Sequence, residues 1–156
     1  MCDGTAPKQE RFVHMPTYAA TRELRAPRTD VWAFLAEPTH LSDWWPGIRA
    51  VEPDRRGLAP GARWRTLSRG RPSPFVGSKV DVAGMLVVLE VRPTEFVAWQ
   101  FVDTRLDVEL KLTEAAADRT RAELTISAPF FGGLRRSLPH KALTRLYSLC
   151  ETGAYA

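Results

Sequence analysis

LRRSLPHKALTRLYSLC, residues 134–150, carries apolar side chains at Leu134, Leu138, Ala142, Leu146 and Cys150, one every four residues. Leu143, Tyr147 and Leu149 widen that stripe, and Arg135, Arg136, Lys141 and Arg145 take the opposite side. Residues four apart stand one above another on a helix, so the spacing predicts an amphipathic helix with a broad apolar face. Pro139 falls inside the pattern. A proline in a helix interior removes a backbone hydrogen bond, so either the helix kinks there or it starts near Ser137, which can cap it. Such a face has to cover something apolar.

What it covers stands just upstream. Leu106, Val108, Leu110 and Leu112 alternate with Asp107, Glu109 and Lys111, and Ala122, Leu124, Ile126 and Ala128 alternate with Arg121, Glu123, Thr125 and Ser127. Period two is the signature of a strand with one apolar face. The segment 115–120, AAADRT, is the hairpin loop between them. Residues 95–103 read as another strand. Met85–Val91 is apolar on both faces, which predicts a strand that is central or covered on both sides. Strands are also expected at Ile48–Glu52 and Ala62–Leu67, separated by a Pro- and Gly-containing turn at 53–61. The segment 68–79, SRGRPSPFVGSK, reads as a loop able to cover a pocket, and Val80–Val82 as a strand fragment or part of that loop.

The N-terminal half has a different grammar. Residues 1–16 lack periodicity and read as a flexible leader, and residues 17–156 as a single domain. Thr17–Arg25 alternates as a first strand. Ala26-Pro27 closes it, and Thr29 or Asp30 is placed to cap a short helix with Val31, Phe34 and Leu35 on its apolar side. Pro38 opens a second short helix with Leu41, Trp44 and Trp45 as its stripe, and Pro46-Gly47 ends it. The expected class is α+β: an antiparallel sheet of six to seven strands, two short helices after the first strand, and one long C-terminal helix.

Composition narrows the functional classes. The chain has 156 residues, 44% of them apolar and 26% charged, the usage of an ordinary globular domain. A domain of this size closes a core without disulfides or metals. The cysteines are Cys2 and Cys150, and the histidines His14, His40 and His140 lack metal-ligand spacing, so no metal and no cofactor is expected. Phosphate-binding, dinucleotide-binding and serine-hydrolase motifs do not occur. The longest apolar run, Met85–Leu89, is far too short to span a membrane, and the N-terminus is no signal peptide; a cytoplasmic location is expected. The net charge of +4 comes from arginines scattered along the chain, without a nucleic-acid-binding motif, so no specific nucleic-acid partner is expected. Monomer and homodimer remain open.

Several runs resemble one superfamily. Ala26-Pro27-Arg28-Thr29-Asp30-Val31-Trp32 resembles the strand-to-helix entry of START-like (SRPBCC) domains, a group that includes polyketide cyclase/dehydrase-like proteins and Hsp90-ATPase activators. Leu41-Ser42-Asp43-Trp44-Trp45-Pro46 is similar to their second short helix, and Pro60-Gly61-Ala62-Arg63-Trp64 to the entry of their third strand. Val88–Trp99 resembles their proline-centred hairpin ending in Trp. The resemblance implies a helix-grip fold, a curved sheet wrapped around the long C-terminal helix, with an apolar ligand cavity between them. It implies binding of a lipid, polyketide-like or other apolar compound, or a cyclase, dehydratase or isomerase acting on one. An interaction module, cochaperone-like or toxin-like, is the alternative from another class.

In that frame Trp45, Trp64 and Trp99 either pack the core or rim the cavity and stack on a flat ligand. Met85, Leu110, Leu138 and Leu146 are further candidates for the apolar lining. Gln100, between Trp99 and Phe101, meets a ligand or a backbone group. His40 and Asp43, at i and i+3, share a helix face and form either an acid/base pair or a solvent-facing pair. Arg65 is the candidate for binding a carboxylate or stabilising an enolate, unless its side of the strand is wet.

Overall fold

The computed structural model describes residues 16–70, 81–129 and 135–152. Strand β1 (Thr17–Leu24) leads to helix α1 (Arg28–Leu35), a 3-10 turn at Pro38–His40 and the four-residue helix α2 (Leu41–Trp44). Strands β2 (Ile48–Glu52), β3 (Arg63–Ser68), β4 (Val82–Arg92), β5 (Phe96–Phe101), β6 (Leu106–Ala116) and β7 (Arg119–Ser127) follow, then helix α3 (Leu138–Thr152). All seven strands join one sheet in the order β1-β7-β6-β5-β4-β3-β2, every pair antiparallel. The fold is the α+β helix-grip arrangement that the sequence implies.

Pro139 lies in the first turn of α3, where its missing N–H has no helical partner to lose. The Lys141 N–H donates to the Ser137 carbonyl at 3.0 Å, so the helix starts after Ser137 and does not kink. Its buried face is Ala142, Leu143, Leu146 and Cys150. This face packs chiefly on β1, with smaller contacts to β7 and α2. Arg22 fastens the pair from the strand side. Its guanidinium donates to Thr144 Oγ1 at 3.2 Å and lies 4.2 Å from the centre of the Tyr147 ring.

Three local expectations are revised. Neither Thr29 nor Asp30 caps α1; the Pro27 carbonyl accepts from the Asp30 and Val31 N–H groups, and Asp30 sits in the first turn, where a carboxylate favours the helix dipole. The β6–β7 hairpin is tighter than a six-residue loop, because the period-two pattern runs on to Thr120. That hydroxyl is fully buried and donates to the Ala26 carbonyl at 2.8 Å. The outer face of β4 is covered less than its composition implies. Met85 and Val87 are half-buried, and at the register slip between Val88 and Glu90 the extra residue Leu89 is 52% exposed.

The β2–β3 turn is built on Asp54. Its carboxylate accepts from the Arg63 N–H at 2.9 Å and from the Arg56 N–H at 3.0 Å. Within the same turn the Gly57 carbonyl accepts the Trp64 indole N–H at 2.9 Å. The Arg63 N–H is the main reason why the Asp54 carboxyl titrates below its ordinary value of 3.8, with Arg56 adding to it and burial opposing it. A carboxyl with a lowered folded-state pKa adds stability above its unfolded value and loses it as pH falls through the folded one. The gap in melting temperature between wild type and Asp54→Asn should therefore be full at pH 6 and shrink progressively as pH falls below 3.8. A gap that stays constant across that range contradicts this role.

Candidate functional site

The inner face of the sheet is shared between two covers. α3 lies over the β1 side, and α2 delivers Trp44 and Trp45 on the other. The Trp45 N–H donates to the Leu41 carbonyl at 2.9 Å, which ends α2, and Gly47 then turns the chain at φ +86°, a region that favours glycine. Trp45 meets Trp99 edge-on at 5.6 Å, Trp44 at 5.5 Å and Phe101 at 5.4 Å between ring centres. Trp44, Trp45 and Trp99 are all at least 95% buried.

Among the described residues, two spaces flank this aromatic cluster. The inner one is about 20 Å³, walled by Leu35, Leu41, Trp44, Trp64, Trp99 and Leu110, with Leu58 of the β2–β3 turn at its side. The outer one, about 350 Å³, opens at the end of the sheet where β3, β4 and the β5–β6 turn meet the Pro46-Gly47 turn. Trp45, Ile48, Phe101 and Leu106 form its apolar wall, and Val82 stands at its edge, 56% exposed. Its volume lies in the range of small-molecule pockets.

The floor of the outer pocket is polar and depends on a glycine. Asp103 Oδ2 accepts from the Met85 N–H at 2.8 Å, across the strand from Thr66. A Cβ on Gly84 would lie 2.5 Å from that oxygen and 2.8 Å from Thr66 Oγ1. Only a residue without a side chain lets the carboxylate and the hydroxyl converge there. Sequence reasoning passed over Asp103, Thr66 and Gly84; the signal was the glycine within an otherwise apolar strand, which marks a close approach.

The structure separates the residues singled out from sequence. Trp45 faces the outer pocket, while Trp64, Trp99 and Leu110 wall the inner space. Leu146 is fully buried on the inner side of α3, and Leu138 is half-buried at the helix start. Met85 and Gln100 point to the outer face of the sheet, where Gln100 Nε2 donates to Asp107 Oδ1 at 2.8 Å. Arg65 is exposed on that face too, because its neighbours Trp64 and Thr66 take the inner one. Asp43 is exposed. His40 stacks on Phe34 at 4.3 Å, and its Nδ1 lies 2.8 Å from the Phe34 carbonyl. A carbonyl only accepts, so Nδ1 carries the proton in that contact. No ion pair joins His40 to Asp43 among the described residues.

A groove of about 400 Å³ also runs over the outer face, past Leu89, Ala98, Asp107 and Glu109. Trp99 is the single aromatic residue among those that line it, and Gln100 already engages Asp107. Among the described residues no group of three or more His, Cys, Asp or Glu side chains is placed to hold a metal, and no helix is long and apolar enough to cross a membrane.

The family model described as polyketide cyclase / dehydrase and lipid transport matches residues 15–149. A solved protein of Nitrosomonas europaea superposes with a TM-score of 0.67 at 19% identity, over 90% of this chain and 97% of its own. A conserved protein of unknown function from Enterococcus faecalis gives 0.65 at 18% identity, over 90% of this chain and 74% of its own. A START superfamily protein from Mycobacterium smegmatis gives 0.63 at 11% identity, over 89% and 96%. At these identities the likeness is one of fold. No curated protein matches the chain by sequence.

The glycine in the floor provides a direct check on this geometry. Gly84→Ala should push Asp103 off the Met85 N–H and cost about 1–3 kcal/mol in urea unfolding. Unchanged stability would mean that the carboxylate does not sit over Gly84.

Proposed function

The chain belongs to the polyketide cyclase / dehydrase and lipid transport family, and from that membership we propose that it binds an apolar small molecule at the outer pocket. The observation that carries this reading is the aromatic wall of Trp45 and Phe101 facing a space of about 350 Å³. Burial of apolar ligand surface supplies the affinity, at roughly 25 cal/mol per Å². Thr66, Arg69 and Asp103 are polar groups of the same lining, the mixture found in such sites. A lipid, a polyketide-like compound or another flat aromatic molecule fits this lining.

Binding is favoured over turnover by the separation of the acid/base candidates. General acid/base chemistry needs its groups within hydrogen-bond reach of the reacting atoms. His40 is engaged with the Phe34 carbonyl, and neither it nor Asp43 nor Arg65 borders the outer pocket. A cyclase or dehydratase would have to draw on the pocket's own Asp103 and Arg69.

A thermal-shift panel of sterols, fatty acids, flavonoids and aromatic polyketides tests this. A ligand at ~100 times its dissociation constant adds about 2.7 kcal/mol. Val82→Trp places an aromatic side chain at the pocket edge on a strand that tolerates one. It should abolish the ligand shift while leaving the ligand-free stability within about 0.5 kcal/mol. A variant that binds as tightly as wild type would place the ligand elsewhere.

A further inference from the structure

Four of the five tryptophans leave no hydrogen-bonding question on the inner face; the fifth does. The Trp64 indole donates to the Gly57 carbonyl. The Trp99 ring is 5% exposed, and its Nε1 is buried without any hydrogen-bond partner. Buried donors are almost always paired, so an orphan calls for a reason. A phenylalanine at this position would pack the same cluster and leave nothing unpaired.

The ring borders the inner space of about 20 Å³. That is room for one water, but a held water needs two to four polar partners. The leucines and Val97 that complete the wall present no side-chain acceptor. The ring that stands between Trp99 and the outer pocket is Trp45, in contact with both. It is held by a four-residue helix on one side and precedes the Pro46-Gly47 turn on the other. Trp45 therefore packs on Trp99, which borders the inner space, and itself borders the outer pocket.

We propose that Trp99 Nε1–H is the donor that orients the ligand, and that the ligand is a flat apolar molecule bearing an accepting oxygen, such as a ketone or quinone carbonyl. The ligand enters along Phe101, takes the place of the Trp45 ring and sets its oxygen on Trp99. The outer lining holds donors of its own, Arg69 and the Thr66 and Ser68 hydroxyls, so the choice of Trp99 rests on its buried, unpaired Nε1. This rests on the binding reading above and adds the chemical class of the ligand to it.

Fluorenone and fluorene are a suitable probe pair, since they share one frame and differ in the carbonyl. In wild-type protein the Trp99 indole N–H signal, assigned by its proximity to the Trp44 and Trp45 rings, should move downfield with fluorenone and not with fluorene. Trp99→Phe should lower the preference for fluorenone over fluorene by about tenfold, the factor carried by a hydrogen bond of about 1.4 kcal/mol. The affinity for fluorene should stay within about twofold. If both compounds bind and the indole signal responds to them alike, or the preference survives Trp99→Phe, the orienting role is wrong and binding stands. If neither compound binds wild type, the binding reading falls and takes this one with it. The indole signal is read on the wild-type chain, so the test holds even where the variant does not fold.

Discussion

The edge-on contact of Trp45 with Trp99, 5.6 Å between ring centres, is the constraint on which the rest of the sheet's inner face depends. α3 covers the β1 side, and the β3–β5 side is left to side chains from α2. A helix of four residues has too few hydrogen bonds to hold itself. It stays in place because Trp44 and Trp45 bury large apolar areas against Trp99 and Phe101. Each aromatic pair adds about 0.5–1.5 kcal/mol beyond that burial. Through that contact the lining of the outer pocket, Trp45, packs on the lining of the inner space, Trp99.

The two sides of the inner face are covered differently. On the α3 side Leu24, Leu124, Ile126 and Leu146 are fully buried, and Arg22 ties β1 to α3 through Thr144 and Tyr147. On the α2 side the cover is aromatic: the Asp54 turn positions Trp64, and the Gly47 turn follows Trp45.

Periodicity made the fold legible. Strands β6 and β7 and helix α3 each show a face at period two or four, and their burial follows it residue by residue. The placement of Arg65 on the wet side was visible in the same way, from its alternation with Trp64. The site was less legible, because it is made where elements meet rather than within one. Asp103 sits in a turn and reaches Gly84 across a strand pair, a contact that no spacing in the chain reveals. Met85 and Gln100 looked inward by their apolar neighbours, yet the parity of β4 and β5 sends both outward. His40 and Asp43 share a helical spacing, but the Phe34 carbonyl and ring hold the imidazole elsewhere.

The central claim is that a ligand engages the Trp45 wall. Fluorine NMR of protein carrying 5-fluorotryptophan reads it directly during a titration with fluorene. The Trp45 signal should shift with occupancy, and the signal of Trp32, which borders neither space, should not. A saturating ligand that leaves Trp45 unmoved would contradict the account.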